Sequence, residues 1–167
     1  MAARKGSRRA PAGAPSGSVG HGEFVVYPGV PSGIYDVLER LSAAAGDSPD
    51  LGTTGISLDR TRLTVRWFGD LPAGVQAVLD SAGEGLEVVV QPTEFRPGDL
   101  RAVAVRLAGE HGDVVAAASA RPEGDGIEVL VPPVVAEAAG GPQQALAAAG
   151  VSSDVPLFAE IGAAPPS

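Results

Sequence analysis

Between Gly55 and Phe95 the chain reads strand, turn, strand, turn, helix, strand, and between Asp113 and Gly162 the same order returns. The first pass runs "GISLD", the tight turn "RT", "RLTVRWF", the turn "GDLP", "AGVQAVLDSAG" and "LEVVVQPTEF". The second runs "DVVAAASARP", the turn "EGDG", "IEVLVPP", "GGPQQALAAAG" and "VPLFAEIG". Element order is kept and few identities are, which reads as a diverged duplication of one β-β-α-β unit. Strands that alternate with period two need a helix over their apolar face, so two such units define an α+β fold.

What flanks the units completes the organisation. Residues 1–22 are Ala, Gly, Pro, Ser and Arg in low-complexity order, a composition that does not repay the entropy of ordering, and they read as a disordered basic head. Order is expected from "EFVVYPGV", followed by a helix in "PSGIYDVLERLSAAAG" with Ile34, Val37, Leu38 and Leu41 on one face, Ser32 near its start and Gly46 as its stop. A second helix, "RPGDLRAVAVRLAGEHG", carries the stripe Leu100, Val103, Ala104 and Leu107 and joins the two units. The divisions are therefore a head (1–22), an N-terminal strand, helix and loop (23–54), a first unit (55–96), a connecting helix (97–112), a second unit (113–162) and a tail (163–167).

The 23 glycines and 15 prolines are consistent with this reading because they punctuate short apolar runs and crowd the two ends of the chain. Hydrophobic residues make up 44% and aromatics only 4%, so the core is built from alanine and valine and each large side chain counts. Along "RLTVRWF", Leu63, Val65 and Trp67 share one face and Thr64, Arg66 and Phe68 the other. The first set is the natural core set, with Trp67 an anchor at the strand's end. Tryptophan is also enriched at interfaces, so Trp67 and its neighbour Phe68 are kept as candidate contact residues as well.

Catalytic and ligand-binding patterns are not found. There is no cysteine, which removes disulfides, thiolate chemistry and cysteine-based zinc sites. His21 falls in the head and His111 near a helix C-terminus, where the dipole favours it. Asp59 and Asp70 flank one strand but suit turn and capping roles, and Glu123 and Asp125 bracket a glycine turn too short to hold calcium. No phosphate-binding glycine loop or dinucleotide fingerprint is present. The expectation is a chain without enzyme activity, cofactor or metal; the alternative of a hydrolase or transferase working through acidic residues between the units would need two converging carboxylates.

Net charge is −8, and Arg4, Lys5, Arg8 and Arg9 all sit in the head, so the rest of the chain is more acidic still and is not expected to bind nucleic acid. No apolar run reaches the ~20 residues that span a bilayer. The basic start has no apolar stretch behind it, so no signal peptide is expected; the compartment stays open between the cytoplasm, as the sequence is written, and export from another start site.

The unit "GISLDRTRLTVRWFGDLPAGVQAVL", the strand "LEVVVQPTEF", the helix "DLRAVAVRLAG" and "VVAAASARPEGDGIEVLVPP" together resemble the pro-regions that precede actinobacterial chymotrypsin-like secreted proteases, the streptogrisin and alpha-lytic class. The resemblance covers residues 55 to about 161. In that family the pro-region assists protease folding and inhibits the product, through a sheet edge that pairs with a protease hairpin and a tail that enters the cleft. Carried over, "PLFAEI" supplies the pairing edge, with Leu157, Phe158 and Ile161 as contact residues, and "GAAPPS" the tail. No protease domain follows in this sequence, so what is implied is a module that binds a separate protein partner, a serine protease for instance. The competing expectation is a structural protein that pairs with a second copy of itself to close its sheet edges.

Overall fold

The computed structural model describes residues 19–21, 24–26 and 33–163. The chain divides into two units, Met1–Ser32 and Gly33–Ser167. In the first, β1 (Val19–His21) pairs antiparallel with β2 (Phe24–Val26), Val19 opposite Val26 and His21 opposite Phe24. Val19–His21, three residues of the segment read as a disordered head, are thus strand, paired with the β-favouring "FVV". The rest of that head, Ser32 and residues 164–167 of the tail lie outside the described residues.

The second unit runs α1 (Gly33–Ala45), β3 (Gly55–Ile56), β4 (Arg62–Trp67), α2 (Ala73–Asp80), β5 (Glu87–Pro92), α3 (Pro97–Glu110), β6 (Ala117–Ala120), β7 (Ile127–Val131), α4 (Pro133–Ala139), α5 (Pro142–Ala148) and β8 (Leu157–Ile161). Its strands form two three-stranded sheets, ordered β3-β4-β5 and β6-β7-β8. In each, the first pair is antiparallel and the second parallel. The fold is α+β, and the two sheets share one topology.

Each sheet carries its own core. Leu63, Val65 and Trp67 of β4 are buried against Ile34, Val37 and Leu41 of α1 and Val75 and Leu79 of α2. Ile127, Val129 and Val131 of β7 are buried against Leu100, Ala104 and Leu107 of α3, Ala136 of α4 and Ala145 and Leu146 of α5. The helix expected to connect the units is therefore a wall of the second core, and α1 is the corresponding wall of the first. Each buried Leu, Ile or Val contributes roughly 1.5–3 kcal/mol, so these stripes fix which face of each sheet the helices cover.

Two local details differ from the sequence expectation. Strand β7 stops at Val131 because Pro132 and Pro133 end the ladder; Pro133 starts α4, which closes at Gly140 in a left-handed conformation (φ 82°). Asp70 does not cap α2 through its side chain; Pro72 precedes the helix without a side-chain cap, while the Asp70 carbonyl accepts the Trp67 indole N–H at 3.2 Å.

The two halves meet where the loop after α1 touches the start of α3. Gly98 donates its N–H to the Pro49 carbonyl at 2.7 Å, Arg101 reaches the Leu51 carbonyl at 3.2 Å, and Arg96 pairs with Asp50 at 2.6 Å. Further along, the Phe95 N–H donates to the Gly124 carbonyl at 3.0 Å. A partly exposed ion pair is worth at most about 1 kcal/mol, so the backbone contacts and the close packing around Gly98 do more to set this seam.

Two substitutions test the account. Trp67→Ala removes the largest buried side chain and should cost about 3–5 kcal/mol in urea unfolding, read by circular dichroism. Gly98→Ala gains about 1 kcal/mol of helix propensity. Its Cβ, however, would stand 2.5 Å from Pro49 Cβ and 2.9 Å from Pro49 Cα, and relief requires moving backbone. Overpacking of that kind costs about 1–3 kcal/mol, so the net change should be destabilising.

Candidate functional site

The hydrogen-bond phase of β8 decides what its outer edge offers. Ile127 donates to the Pro156 carbonyl at 2.9 Å and Gly162 donates to the Val131 carbonyl at 3.0 Å, so the even-numbered residues turn their backbone groups towards β7. Because successive residues of a strand point opposite ways, Leu157, Ala159 and Ile161 turn theirs to the free side. β8 is the last strand of its sheet, and these groups meet no other strand among the described residues. Three consecutive outward donor and acceptor pairs result.

The matching edge of the first sheet is different. Glu87 donates to Thr61 at 2.7 Å and Thr93 to the Trp67 carbonyl at 3.1 Å, which leaves Val88, Val90 and Pro92 facing outward. Proline has no N–H, so this edge offers two donors and then closes.

Side chains on β8 divide by face. Leu157 and Ala159 pack on the second core, whereas Phe158 lies on the opposite face, opposite Glu128 of β7. Glycine at 126 lets Phe158 come close: a Cβ there would meet its Cε2 at 2.8 Å and the Pro156 carbonyl at 2.5 Å. The Arg121 guanidinium lies 3.8 Å from the ring centroid, and Arg121 Nε lies 3.3 Å from Asp125 and 3.7 Å from Glu123. The β6–β7 turn thereby clamps Phe158, which keeps 37% exposure, while Ile161 at the strand's end is 58% exposed.

Of the contact residues expected from sequence, Leu157, Phe158 and Ile161 come together on this strand. Trp67 does not belong with them: it is 2% exposed in the core of the other sheet, so its candidacy as a contact residue is corrected to that of a core anchor. Phe68 is half-buried and donates its N–H to the Asp50 carbonyl at 2.9 Å. Sequence reasoning passed over Arg121, the cation over Phe158, and the closing role of Pro92; the second was readable from a proline inside "EVVVQP".

The other polar residues singled out have local work. Asp59 accepts from the Ser57 hydroxyl at 2.6 Å, the Thr61 hydroxyl at 2.8 Å and the Thr61 N–H at 3.2 Å, locking a turn in which Arg60 has φ 59°. These hydrogen bonds, that from Ser57 first, hold the Asp59 carboxyl below the ordinary range. Glu87 pairs with Arg62 at 2.7 Å, which raises the guanidinium further. His111 closes α3, its N–H donating to Leu107. Among the described residues no group of three or more His, Cys, Asp or Glu could hold a metal ion, and no helix is long and apolar enough to cross a membrane.

A scan against protein-family models, a search of curated proteins and a search of solved structures each find no match to this chain.

The Asp59 turn gives a pH prediction. Its carboxyl is depressed in the folded state, so the stability it adds is complete above the ordinary carboxylate range and is lost as pH falls through the depressed value. The melting-temperature difference between the parent chain and Asp59→Asn should be largest near neutral pH and vanish in acid. A constant difference would mean that the charge plays no part.

Proposed function

We propose that the chain is a non-enzymatic protein-binding module that takes an extended strand of a partner onto the edge of β8. The observation that supports this most is the outward phase of Leu157, Ala159 and Ile161, three donor and acceptor pairs in a row beside a clamped aromatic and an exposed isoleucine. Strand addition draws affinity from main-chain hydrogen bonds and selectivity from alternate side chains, and this edge supplies both. The resemblance to protease pro-regions favours a chymotrypsin-like serine protease as the partner class, with inhibition as the outcome. In this reading Leu157, Phe158 and Ile161 are contact residues, and Trp67 is not.

A second reading, self-pairing into a homodimer, is favoured by the same open edge, since an edge strand is a template for another copy. Two β8 strands related by a two-fold axis would pair antiparallel and close the assembly.

Ala159→Pro separates the readings from a folding defect. It deletes the central outward N–H without touching the ladder to β7, so stability should change by less than about 1 kcal/mol. With the parent chain, a mature chymotrypsin-like protease should lose activity at stoichiometric ratio, and amide exchange at Leu157, Ala159 and Ile161 should slow. The variant should do neither. Full protease activity with both chains, together with a concentration-dependent dimer by sedimentation that Ala159→Pro abolishes, would replace the first reading with the second.

A further inference from the structure

The face of the second sheet turned away from its helices carries Ser119 of β6, Glu128 and Leu130 of β7, and Phe158 and Glu160 of β8. Glu128 stands opposite Phe158 and Leu130 opposite Glu160, so the two carboxylates are diagonal neighbours on one face. Neither forms a salt bridge among the described residues. Arg121, the only Lys or Arg after Arg106, is stacked on Phe158 and outnumbered by Glu123 and Asp125 of its own turn. The face is left negative.

Other acids of this chain are exposed and unpaired too, and position is what distinguishes Glu160 from them. Its backbone groups point to β7, so in an antiparallel strand added at the free edge the residue opposite Glu160 belongs to a non-hydrogen-bonded pair. Such pairs bring Cα atoms to about 4.5 Å, closer than hydrogen-bonded pairs, and their side chains interact directly. The residue opposite Phe158 is placed in the same way, beside a ring that is 37% exposed. On the helix side the incoming strand meets Leu157, the small Ala159 and the exposed Ile161. Antiparallel addition is the more stable direction per residue.

A second copy does not meet these demands. "VPLFAEIG" holds no Lys or Arg, so β8 paired with itself leaves Glu160 without a counter-charge in every register. The strand "EVVVQP" of the first sheet lacks one as well. The edge suits a segment of different sequence.

Resting on the strand-addition reading above, we infer that the partner segment is an antiparallel strand with Lys or Arg opposite Glu160, an aromatic or β-branched residue opposite Phe158, and apolar residues opposite Leu157, Ala159 and Ile161. Its cation answers the negative face, and its alternate apolar side chains extend the cover of the second core.

The test is an amide NMR titration of the isotope-labelled chain with two acetylated and amidated heptapeptides, Thr-Val-Lys-Val-Tyr-Val-Thr and the same sequence with Glu in place of Lys. The Lys peptide should move the Leu157, Ala159 and Ile161 amides along a saturable curve. It should bind about fivefold or more tightly than the Glu peptide, since opposite charges in a cross-strand pair attract and like charges repel. Glu160→Lys should invert that order. Glu84→Lys, an equal change of net charge in the turn before β5, should keep it, with melting temperatures verifying that both variants fold. If neither peptide moves the edge amides, the strand-addition reading falls and this inference with it. Saturable binding with equal affinities, an order unchanged by Glu160→Lys, or an order lost equally in Glu84→Lys leaves the edge standing and overturns the charge rule.

Discussion

The one-sided burial of β4 and β7 is what the other elements answer to. Leu63, Val65 and Trp67 on one strand and Ile127, Val129 and Val131 on the other are almost wholly removed from water, and the residues between them remain at least partly accessible. A three-stranded sheet with a single apolar face has to be roofed by helices on that face, and here each roof is assembled from segments on both sides of its central strand in sequence. α1 precedes β4 and α2 follows it; α3 precedes β7 while α4 and α5 follow. That arrangement leaves the opposite face and the outer parallel strand of each sheet to solvent or to partners.

The second roof uses two short helices where the first uses one, and composition explains the difference. Alanines such as Ala136 and Ala145 bury little area each, so more backbone has to be brought against the sheet to cover it. In the first sheet, Trp67 fills at one position what several alanines do elsewhere. A core that leans on one large side chain is sensitive at that residue and tolerant around it.

How far the sequence was legible follows from the range of each signal. Period-two alternation in "RLTVRWF" and "IEVLVPP" located both central strands and their inward faces, because alternation is local and one-sided burial leaves it clean. The helix at Pro133–Ala139 is hidden in the sequence because Pro132 and Pro133 read as the end of a strand, although proline at the start and glycine after is a helix signature. α3 is legible as the helix between the units, whereas its place in the second core with Val129 and Val131 is not, since that contact is made only on folding. For the candidate contact strand the identities Leu157, Phe158 and Ile161 could be read, whereas its outward phase could not. Phase is set by which residues hydrogen-bond to β7, and that needs the register. The Arg121–Phe158 stack and the seam around Gly98 are likewise products of tertiary approach.

Pro92 has a consequence at the level of many molecules. A chain with a parallel open edge at each of two sheets is equipped to join tail to head, β8 of one copy to β5 of the next. Such a contact joins unlike surfaces, so it repeats from copy to copy until a ring closes or a filament grows. Placing a proline among the outward residues of β5 removes the third donor that such a joint would use, while β8 keeps all of its own. One imino acid thus makes the two parallel edges unequal: β5 offers two outward donors, from Val88 and Val90, where β8 offers three.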